Sequence, residues 1–259
     1  MDVISYNRNA WNLQVESGKN EWTQPVSRET IEEAKKGNWR ITLTSGKPIP
    51  ESWYPPLRGS TVLCLASGGG QQGPLLAAVG ADVVVFDNSE KQLEQDRFVA
   101  ERDGLDLKTV QGDMANLSVF ADGMFDLIVH PVSNVFVEHI RPVWREAFRV
   151  LKPGGILLAG FVNPLLYMFD IDQEEKGIFE VRHSIPYSDL RSLSVEQLRV
   201  HMESGRPLEF GHSLEDQIQG QIDAGFVIAG FYEDTFGGNR PIDTFIPTFI
   251  ATKAIKASS

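Results

Sequence analysis

The feature that most constrains the fold is a glycine-rich segment at residues 61–73, TVLCLASGGGQQG. A β-branched, apolar run over residues 61–65 stops at Ala-Ser and three consecutive glycines, and an amphipathic stretch at residues 71–79 follows. The side-chain period changes from two to the helical value, which predicts a strand, a tight loop and a helix. Glycines let a backbone pass close to a ligand because no Cβ intervenes, and N–H groups at the helix start face that ligand. The alternative is a plain strand–helix turn whose glycines serve packing.

The rest of the chain after residue 60 alternates between strand and helix patterns. With residues 61–65, the predicted strands are 82–86 (ending at Asp87), 105–111, 125–129, 156–161, 226–232 and 244–253. This alternation predicts an α/β fold: a doubly wound, Rossmann-like, seven-stranded and mostly parallel sheet with a C-terminal antiparallel strand.

Two helix starts are marked by capping residues. Ser89 and Gln92 form the pattern of a capping box, which predicts a helix through about Arg102. Ser213 is predicted to cap a later helix that stops at Gly225. We expect one face of that helix to be apolar, lined by Leu214, Ile218 and Ile222.

Two segments lie outside the alternating pattern. Residues 1–59 carry four of the five tryptophans and form an N-terminal extension that either packs against the main domain, residues 60–259, or acts as a lid. Residues from about 164 to 211 mix apolar, acidic and histidine-bearing pieces, and we expect a cap insertion beside the site.

Carboxylates follow the second and third predicted strands, and doubly wound sheets bind ligands at such strand ends. Asp87 lies 19 residues after Gly68, where it could accept hydrogen bonds from both ribose hydroxyls. Asp113 follows Gly112, where it could accept a hydrogen bond from an adenine amine while Met114 packs on the ring. Helix capping is the alternative role of both carboxylates. The pattern predicts an adenosine site that needs no phosphates.

These residues carry a resemblance to a known family. From about residue 60 to 163 the chain resembles the class I S-adenosylmethionine-dependent methyltransferases of the type-11 kind, which include ubiquinone/menaquinone methyltransferases. The matching stretches are VLCLASGGG, VVVFDNS, QGDM, FDLIVHP and REAFRVLKPGGILLAG. The resemblance departs at Cys64, where the family often has an acid, and at Ala66, where it often has glycine.

The resemblance implies S-adenosylmethionine as the cofactor. It places the glycine loop on the methionine and ribose, Asp87 on the ribose, and Asp113 with Met114 on the adenine. The Gln71-Gln72 pair is unusual, and we expect its amides to hold the methionine carboxylate or amine. The candidate cofactor-binding residues are Ala66, Ser67, Gly68, Gly69, Gly70, Gln71, Gln72, Asp87, Asn88, Gln92, Gly112, Asp113, Met114 and His130.

The expected reaction is the transfer of a methyl group to a small-molecule acceptor by in-line displacement at the methyl carbon. His130, just after the fourth predicted strand, is the first candidate for a general base, because the ordinary pKa of histidine lies near neutrality. The alternative is a histidine that only packs or orients. Three further histidines are candidates from the cap: His183, His201 and His212.

Net charge and composition restrict the kinds of binding partner that we expect. The net charge of −11 argues against a broad nucleic acid interface, and no metal-binding motif is seen. The residues after the fourth strand, HPVS, lack the N/D-P-P-Y/F pattern of nucleobase or glutamine methylation. The N-terminus lacks the pattern of a signal peptide, and no apolar run is long enough to span a membrane. The single cysteine, Cys64, suits a reducing cytoplasm, and a homodimer is possible.

Two other functions compete with methyl transfer. Gly68, Gly70 and Gly73 also fit the GxGxxG pattern of a nicotinamide-dependent (NAD(P)) oxidoreductase, but that pattern leaves the Gly112-Asp113 turn and the LKPGG turn unexplained. The second alternative is a non-catalytic protein that binds the cofactor with the same fold.

Overall fold

One mixed sheet carries the fold. The computed structural model describes residues 1–258, with the side chains of residues 171 and 172 outside the description. The strands are β1 (Thr61–Leu65), β2 (Asp82–Asp87), β3 (Leu107–Gln111), β4 (Phe125–His130), β5 (Leu151–Val162), β6 (Tyr187–Ser188), β7 (Phe210–Gly211), β8 (Phe226–Asp234) and β9 (Phe249–Lys256). Seven of them form a sheet in the order β3-β2-β1-β4-β5-β9-β8, in which β9 is antiparallel to both neighbours. The predicted doubly wound sheet is therefore confirmed.

Helices cover both faces of this sheet. They are α1 (Val3–Ser17), α2 (Arg28–Lys35), α3 (Gln72–Ala78), α4 (Glu90–Asp103), α5 (Arg141–Val150), α6 (Ile171–Glu174), α7 (Asp189–Ser192), α8 (Val195–Glu203) and α9 (Gly220–Asp223), which continues a π-helix over Glu215–Gln219. Single 3₁₀ turns lie at Glu21–Thr23, Glu51–Trp53, Asn134–Phe136, Pro164–Met168 and Pro241–Thr244.

Strand β1 shows why the sheet is buried on both faces. Its Val62 and Cys64 pack on one side with Leu76 of α3, and the alternate residues Leu63 and Leu65 pack on the other side. That second side also receives Trp144 and the apolar stripe of α5. Alternate strand residues point to opposite faces, so a parallel strand between two helical layers needs apolar residues throughout.

The predicted apolar face of the helix after Ser213 is wrong. Leu214 and Ile222 are 42% and 45% exposed, whereas Gln217 and Gln221 are buried. The π-helix adds a residue to one turn and so rotates the face that meets the sheet. Ser213 does cap the helix, since its hydroxyl accepts the Asp216 N–H at 3.1 Å.

Other differences concern boundaries. Strand β5 begins at Leu151, and the LKPGG turn is an irregularity inside it, where the pairing jumps from Phe125↔Leu151 to Leu127↔Ile156. β9 begins at Phe249 and not at 244, because residues 241–244 form a 3₁₀ turn. β3 begins at Leu107, two residues later than predicted.

The capping box at the start of α4 is only half formed. The Gln92 N–H donates to Ser89 Oγ at 3.2 Å. Oε1 of the Gln92 side chain has no hydrogen-bond partner among the described residues, so the return bond to Ser89 is missing.

The N-terminal extension packs in two places. Ile41, Leu43 and Trp53 join the core cluster on the α3 face of the sheet. Helix α1 instead meets the segment 164–211, where Val3 packs against Leu208 and Phe210. That segment pairs β6 with β7 in a two-stranded sheet outside the main one.

Candidate active site

A cavity of about 890 Å³ lies at the carboxyl ends of the parallel strands. Residues at the ends of β1, β2, β3 and β4 line it, including Ala66, Asp87, Gly112 and Pro131. Most of the predicted cofactor residues are thus brought together. Three of the predicted residues are not in the lining: Gly69, Gly70 and His130.

The glycine loop is held against β2 and α4. The Gly68 N–H donates to Asp87 Oδ2 at 3.0 Å. A Cβ at position 68 would lie 2.7 Å from Gln92 Cβ and 3.2 Å from the Asp87 carboxyl, so only glycine fits. Ala66, at the start of the loop, has a left-handed backbone with φ of 48°, which is costly for any residue other than glycine.

Asp87 is fixed by its neighbours and still faces the cavity. Its Oδ1 accepts the Ser89 N–H at 2.8 Å, while Oδ2 accepts from Gly68. Burial raises the pKa of this carboxyl, and the backbone hydrogen bonds from Ser89 and Gly68 oppose the rise. Each carboxylate oxygen has a further lone pair, which a pair of ribose hydroxyls could use.

The turn after β3 forms the next part of the lining. Asp113 Oδ1 accepts the Ala115 N–H at 3.0 Å, so the carboxyl caps its own turn and leaves Oδ2 for a ligand. Met114 packs against the sheet cluster and also lines the cavity. A Cβ at Gly112 would lie 2.3 Å from Phe86 Cζ, so glycine lets this turn close over the Phe86 ring.

A buried acid behind the loop is missing from the sequence prediction. Asp96 of α4 is fully buried, and its Oδ2 accepts the Gly69 N–H at 3.0 Å. Burial raises the pKa of Asp96 to about 8. An acid on the inner side of a helix, between the buried Leu93 and Val99, was the signal that could have identified it.

An unpartnered acceptor in the lining fits a bound cofactor. Gln92 is buried and lines the cavity, and its Oε1 has no hydrogen-bond partner within residues 1–258. A buried acceptor without a donor is costly unless a ligand supplies one. The Gln92 amide, the Gly68 cradle and the Asp87 carboxylate together form a donor and acceptor set that suits an adenosyl amino acid.

Several predicted ligand-binding side chains instead hold the N-terminal extension. Gln71 Nε2 donates to the carbonyls of Glu21 and Gln24, both at 2.9 Å. Asn88 Nδ2 donates to the Ile4 carbonyl at 2.8 Å. Gln72 Oε1 accepts from Ser67 Oγ at 3.2 Å. Gln71, Gln72 and Asn88 still line the cavity, but hydrogen bonds within the protein already use part of each side-chain amide.

His130 lies behind the cavity wall. It is fully buried, Nδ1 lies 2.9 Å from the Leu65 carbonyl, and Nε2 contacts the Asn134 amide. Burial lowers the pKa of His130, and the hydrogen bonds with the Leu65 carbonyl and with Asn134 oppose this fall. This geometry does not favour a general base, because both ring nitrogens are engaged within the protein. His183 and His201 line the cavity, whereas His212 is bonded to the Asn134 carbonyl.

A buried polar chain extends from His130 towards the far side of the sheet. Asn134 Nδ2 donates to Gln217 Oε1 at 3.0 Å, and Gln221 donates to the Gln217 carbonyl at 2.8 Å. Thr252 of β9 ends the chain, with its hydroxyl 3.1 Å from Gln221 Oε1. This chain explains why the helix after Ser213 buries glutamines.

The two irregular segments also line the cavity. Asn7 and Trp11 of α1 belong to this lining, and Tyr167, Tyr187 and Glu209 contribute to it from the segment 164–211. Among the side chains that the structure describes, no group of three or more His, Cys, Asp or Glu residues is arranged to hold a metal ion. Nor do residues 1–258 contain a helix long and apolar enough to cross a membrane.

The sheet order and the cavity define a doubly wound α/β protein with a ligand site at the carboxyl ends of its strands. Residues 63–159 match the family model described as a methyltransferase domain. The chain is 57% identical over 254 residues to the uncharacterized methyltransferase YbaJ of Bacillus subtilis (strain 168), covering 98% of both chains.

Two more distant similarities agree with this. A sterol 24-C-methyltransferase of Pneumocystis carinii (strain B80) is 32% identical over 135 residues, which cover 49% of this chain and 35% of the relative. The crystal structure of an S-adenosylmethionine-dependent methyltransferase from Mesorhizobium loti superimposes with a TM-score of 0.59 at 18% identity, over 79% of this chain and 94% of that one.

The chain therefore belongs to the S-adenosylmethionine-dependent methyltransferases. Its cofactor is S-adenosylmethionine, as the family resemblance of residues 60–163 had implied.

Proposed function

We propose that this methyltransferase acts on a small-molecule acceptor, bound in the part of the cavity between the N-terminal extension and the cap insertion. The observation that carries the proposal is a single cavity of about 890 Å³ that runs from the Gly68 loop to Tyr187 and Glu209. Cavities of about 300–1,000 Å³ are typical of small ligands, whereas a macromolecular acceptor needs an open surface.

The proposed cofactor contacts follow from the strand ends. Asp87 holds the ribose, Asp113 and Met114 hold the adenine, and the Gly68 loop with Gln92 holds the amino acid part. Bound there, S-adenosylmethionine would supply a methyl group activated by a positively charged sulfur. The acceptor would attack the methyl carbon in line with the S–CH3 bond, and S-adenosylhomocysteine would be the leaving group. The protein's own part is to orient the acceptor, which can contribute up to about 7–11 kcal/mol, and to exclude water.

Residues 1–59 are proposed to act as the lid and residues 164–211 as the cap. Helix α1 is tied down over the site by Asn7, whose side chain donates to the carbonyls of Phe136 and Leu208, both at 3.0 Å. The Leu208 N–H returns a bond to Asn7 Oδ1 at 2.7 Å. A cytoplasmic location and a homodimer stay predictions from the sequence.

The nicotinamide alternative is not favoured by the start of α3. A dinucleotide places its pyrophosphate at this helix start. Here the chain's own residues 21–26 cover it, through Gln71 and through the Val26 N–H, which donates to the Gly70 carbonyl at 3.0 Å.

Two measurements test the proposal. Calorimetry should detect binding of S-adenosylmethionine and S-adenosylhomocysteine but not of NAD. Incubation with methyl-labelled cofactor and a fractionated cell extract should then place the label in the low-molecular-mass fraction. Label found only in the protein or nucleic acid fraction would refute a small-molecule acceptor.

A further inference from the structure

The wall of the cavity formed by the cap carries a set of bonded side chains, which we call the acid–tyrosine cluster: Tyr167, Tyr187, Asp189, His201 and Glu209. The Tyr167 hydroxyl donates to Glu209 Oε2 at 2.6 Å, and the Tyr187 hydroxyl donates to Asp189 Oδ1 at 2.7 Å. The two tyrosine rings are stacked, with centroids 5.0 Å apart and planes 18° apart. The cluster is therefore a built structure and not a loose set of surface acids.

The donors of this cluster are used within the protein. The Glu209 N–H donates to Asp189 Oδ2 at 2.7 Å, and His201 Nε2 lies 2.9 Å from the Pro207 carbonyl. Burial raises the pKa of both phenols, so they stay protonated and keep donating to the carboxylates. Among the described residues no donor reaches Oε1 of Glu209. The cluster thus offers lone pairs and aromatic rings to a ligand, and its complement is a group rich in donors.

The charged side chains that line the cavity also favour a ligand rich in hydrogen-bond donors. Among the described residues, eight carboxyl groups line it, against two guanidinium groups, those of Arg206 and Arg240. Arg240 is already paired with Glu174, which is fully buried. Carboxyl groups thus outnumber guanidinium groups in the lining, which favours a cationic ligand over a carboxylate or phosphate.

We propose that the methyl acceptor is an amine, and that its ammonium group is recognised by the Glu209 carboxylate and the Tyr167 and Tyr187 hydroxyl oxygens. This inference rests on the proposed small-molecule function and names the class of its acceptor. It concerns recognition of the acceptor and does not assign the atom that receives the methyl group.

Binding of matched probes tests the inference. Phenethylamine, 2-phenylethanol and phenylacetate share one frame, and hexylamine, hexanol and hexanoate share another. In the presence of S-adenosylhomocysteine, calorimetry and ligand-observed NMR should rank the amine of each frame at least about tenfold tighter than its alcohol and its acid. Equal or tighter binding by an alcohol or an acid, or no binding by either amine, would overturn the inference.

Two variants test whether Glu209 and Tyr167 bind the ammonium group. Glu209→Gln should weaken amine binding by about tenfold while S-adenosylhomocysteine affinity stays within about twofold. Tyr167→Phe keeps the ring but removes the oxygen, and it should weaken amine binding in the same direction. The matched control is Glu233→Gln, which removes the same charge from an exposed position on β8. Unchanged amine affinity in both cluster variants would overturn the assignment.

The two proposals can fail separately. A neutral or anionic small molecule that accepts the labelled methyl group would end the amine inference and leave the small-molecule function intact. An acceptor found only among macromolecules would end both.

Discussion

The Asp96 carboxylate lies directly behind the Gly69 N–H, with Oδ2 3.0 Å from the nitrogen. The loop that we propose to receive the cofactor is therefore supported from α4 by an acid that is fully buried. Oδ1 of the same carboxylate has no partner in the described part of the chain. This arrangement makes the stability of the loop depend on the protonation of one side chain.

Asp96→Asn is expected to change how stability depends on pH. The folded-state pKa of about 8 lies above the ordinary value of 3.8, so the folded protein keeps this proton to higher pH than the unfolded chain does. The free energy of unfolding should therefore fall as the pH rises between those two values, by at most about 1.4 kcal/mol per pH unit. Urea denaturation should show that the variant loses less stability than the wild type between about pH 5.5 and about pH 8. Parallel losses in the two proteins would contradict this.

Gly68→Ala should weaken cofactor binding. The added Cβ would lie 2.7 Å from Gln92 Cβ and 3.2 Å from the Asp87 carboxyl, so the loop must move away from β2. We expect at least about a tenfold loss of S-adenosylhomocysteine affinity by calorimetry. The control is Gly46→Ala, where the Cβ meets nothing within 4 Å, and its affinity should not change. Equal affinities in the two variants would show that the loop tolerates the shift.

Asp87→Ala should lower the affinity for S-adenosylhomocysteine by at least about tenfold without unfolding the protein. The change removes the proposed ribose acceptor and also the partner of the Gly68 and Ser89 N–H groups. Asp106→Ala, at an exposed position before β3, removes the same charge and serves as the control. If the affinity of Asp87→Ala equals that of the control, the ribose assignment is wrong.

His130→Phe separates a structural role from a catalytic one. The variant leaves the Leu65 carbonyl without its partner, which should cost about 1–3 kcal/mol of stability. Because the folded-state pKa of His130 is lowered, wild-type stability should fall as the pH drops below the ordinary value of 6.5, and the variant should lack that fall. The pH profile of kcat should keep its shape. If the folded variant lost a near-neutral limb from its pH profile of kcat, the hypothesis that His130 is a general base would be supported again.

Hydrogen exchange tests the lid. Trp11 and Asn7 of α1 line the cavity, so a bound ligand should hold the helix down. S-adenosylhomocysteine is expected to slow amide exchange over Val3–Ser17, while the β8–β9 pair at the far edge of the sheet serves as the internal reference. Equal protection of α1 with and without the ligand would argue for a fixed wall in place of a lid.

Local pattern was sufficient for the sheet and for the strand ends. The change of side-chain period predicted the end of β1 at Leu65, where the strand does end. Asp87 and Asp113 were predicted from their positions at strand ends, and both line the cavity. Chemistry that depends on distant partners was not accessible in this way. The sequence predicted that the Gln71 amide binds the ligand, but in the fold its Nε2 donates to the carbonyls of Glu21 and Gln24.

The surroundings of individual buried side chains were also not predictable from the sequence. The spacing of Asp96 from Leu93 and Val99 places it on the inner face of α4, but its bond to the Gly69 N–H depends on how α4 packs under the loop. His130 follows a buried strand, but only the fold shows that its ring contacts Trp144 and not the cavity. The π-helix at Glu215–Gln219 likewise turned glutamines inward, where the apolar spacing had suggested leucine and isoleucine.

The bonds between Asn7 and Leu208 join residues 201 positions apart. During synthesis on the ribosome, α1 is made first, and its bonds to Leu208 can form only after Leu208 has emerged. The central strands can pair earlier, so the pocket is assembled last, in keeping with the slow formation of contacts between distant residues. A nascent chain stalled before Leu208 would possess much of the sheet and no completed pocket.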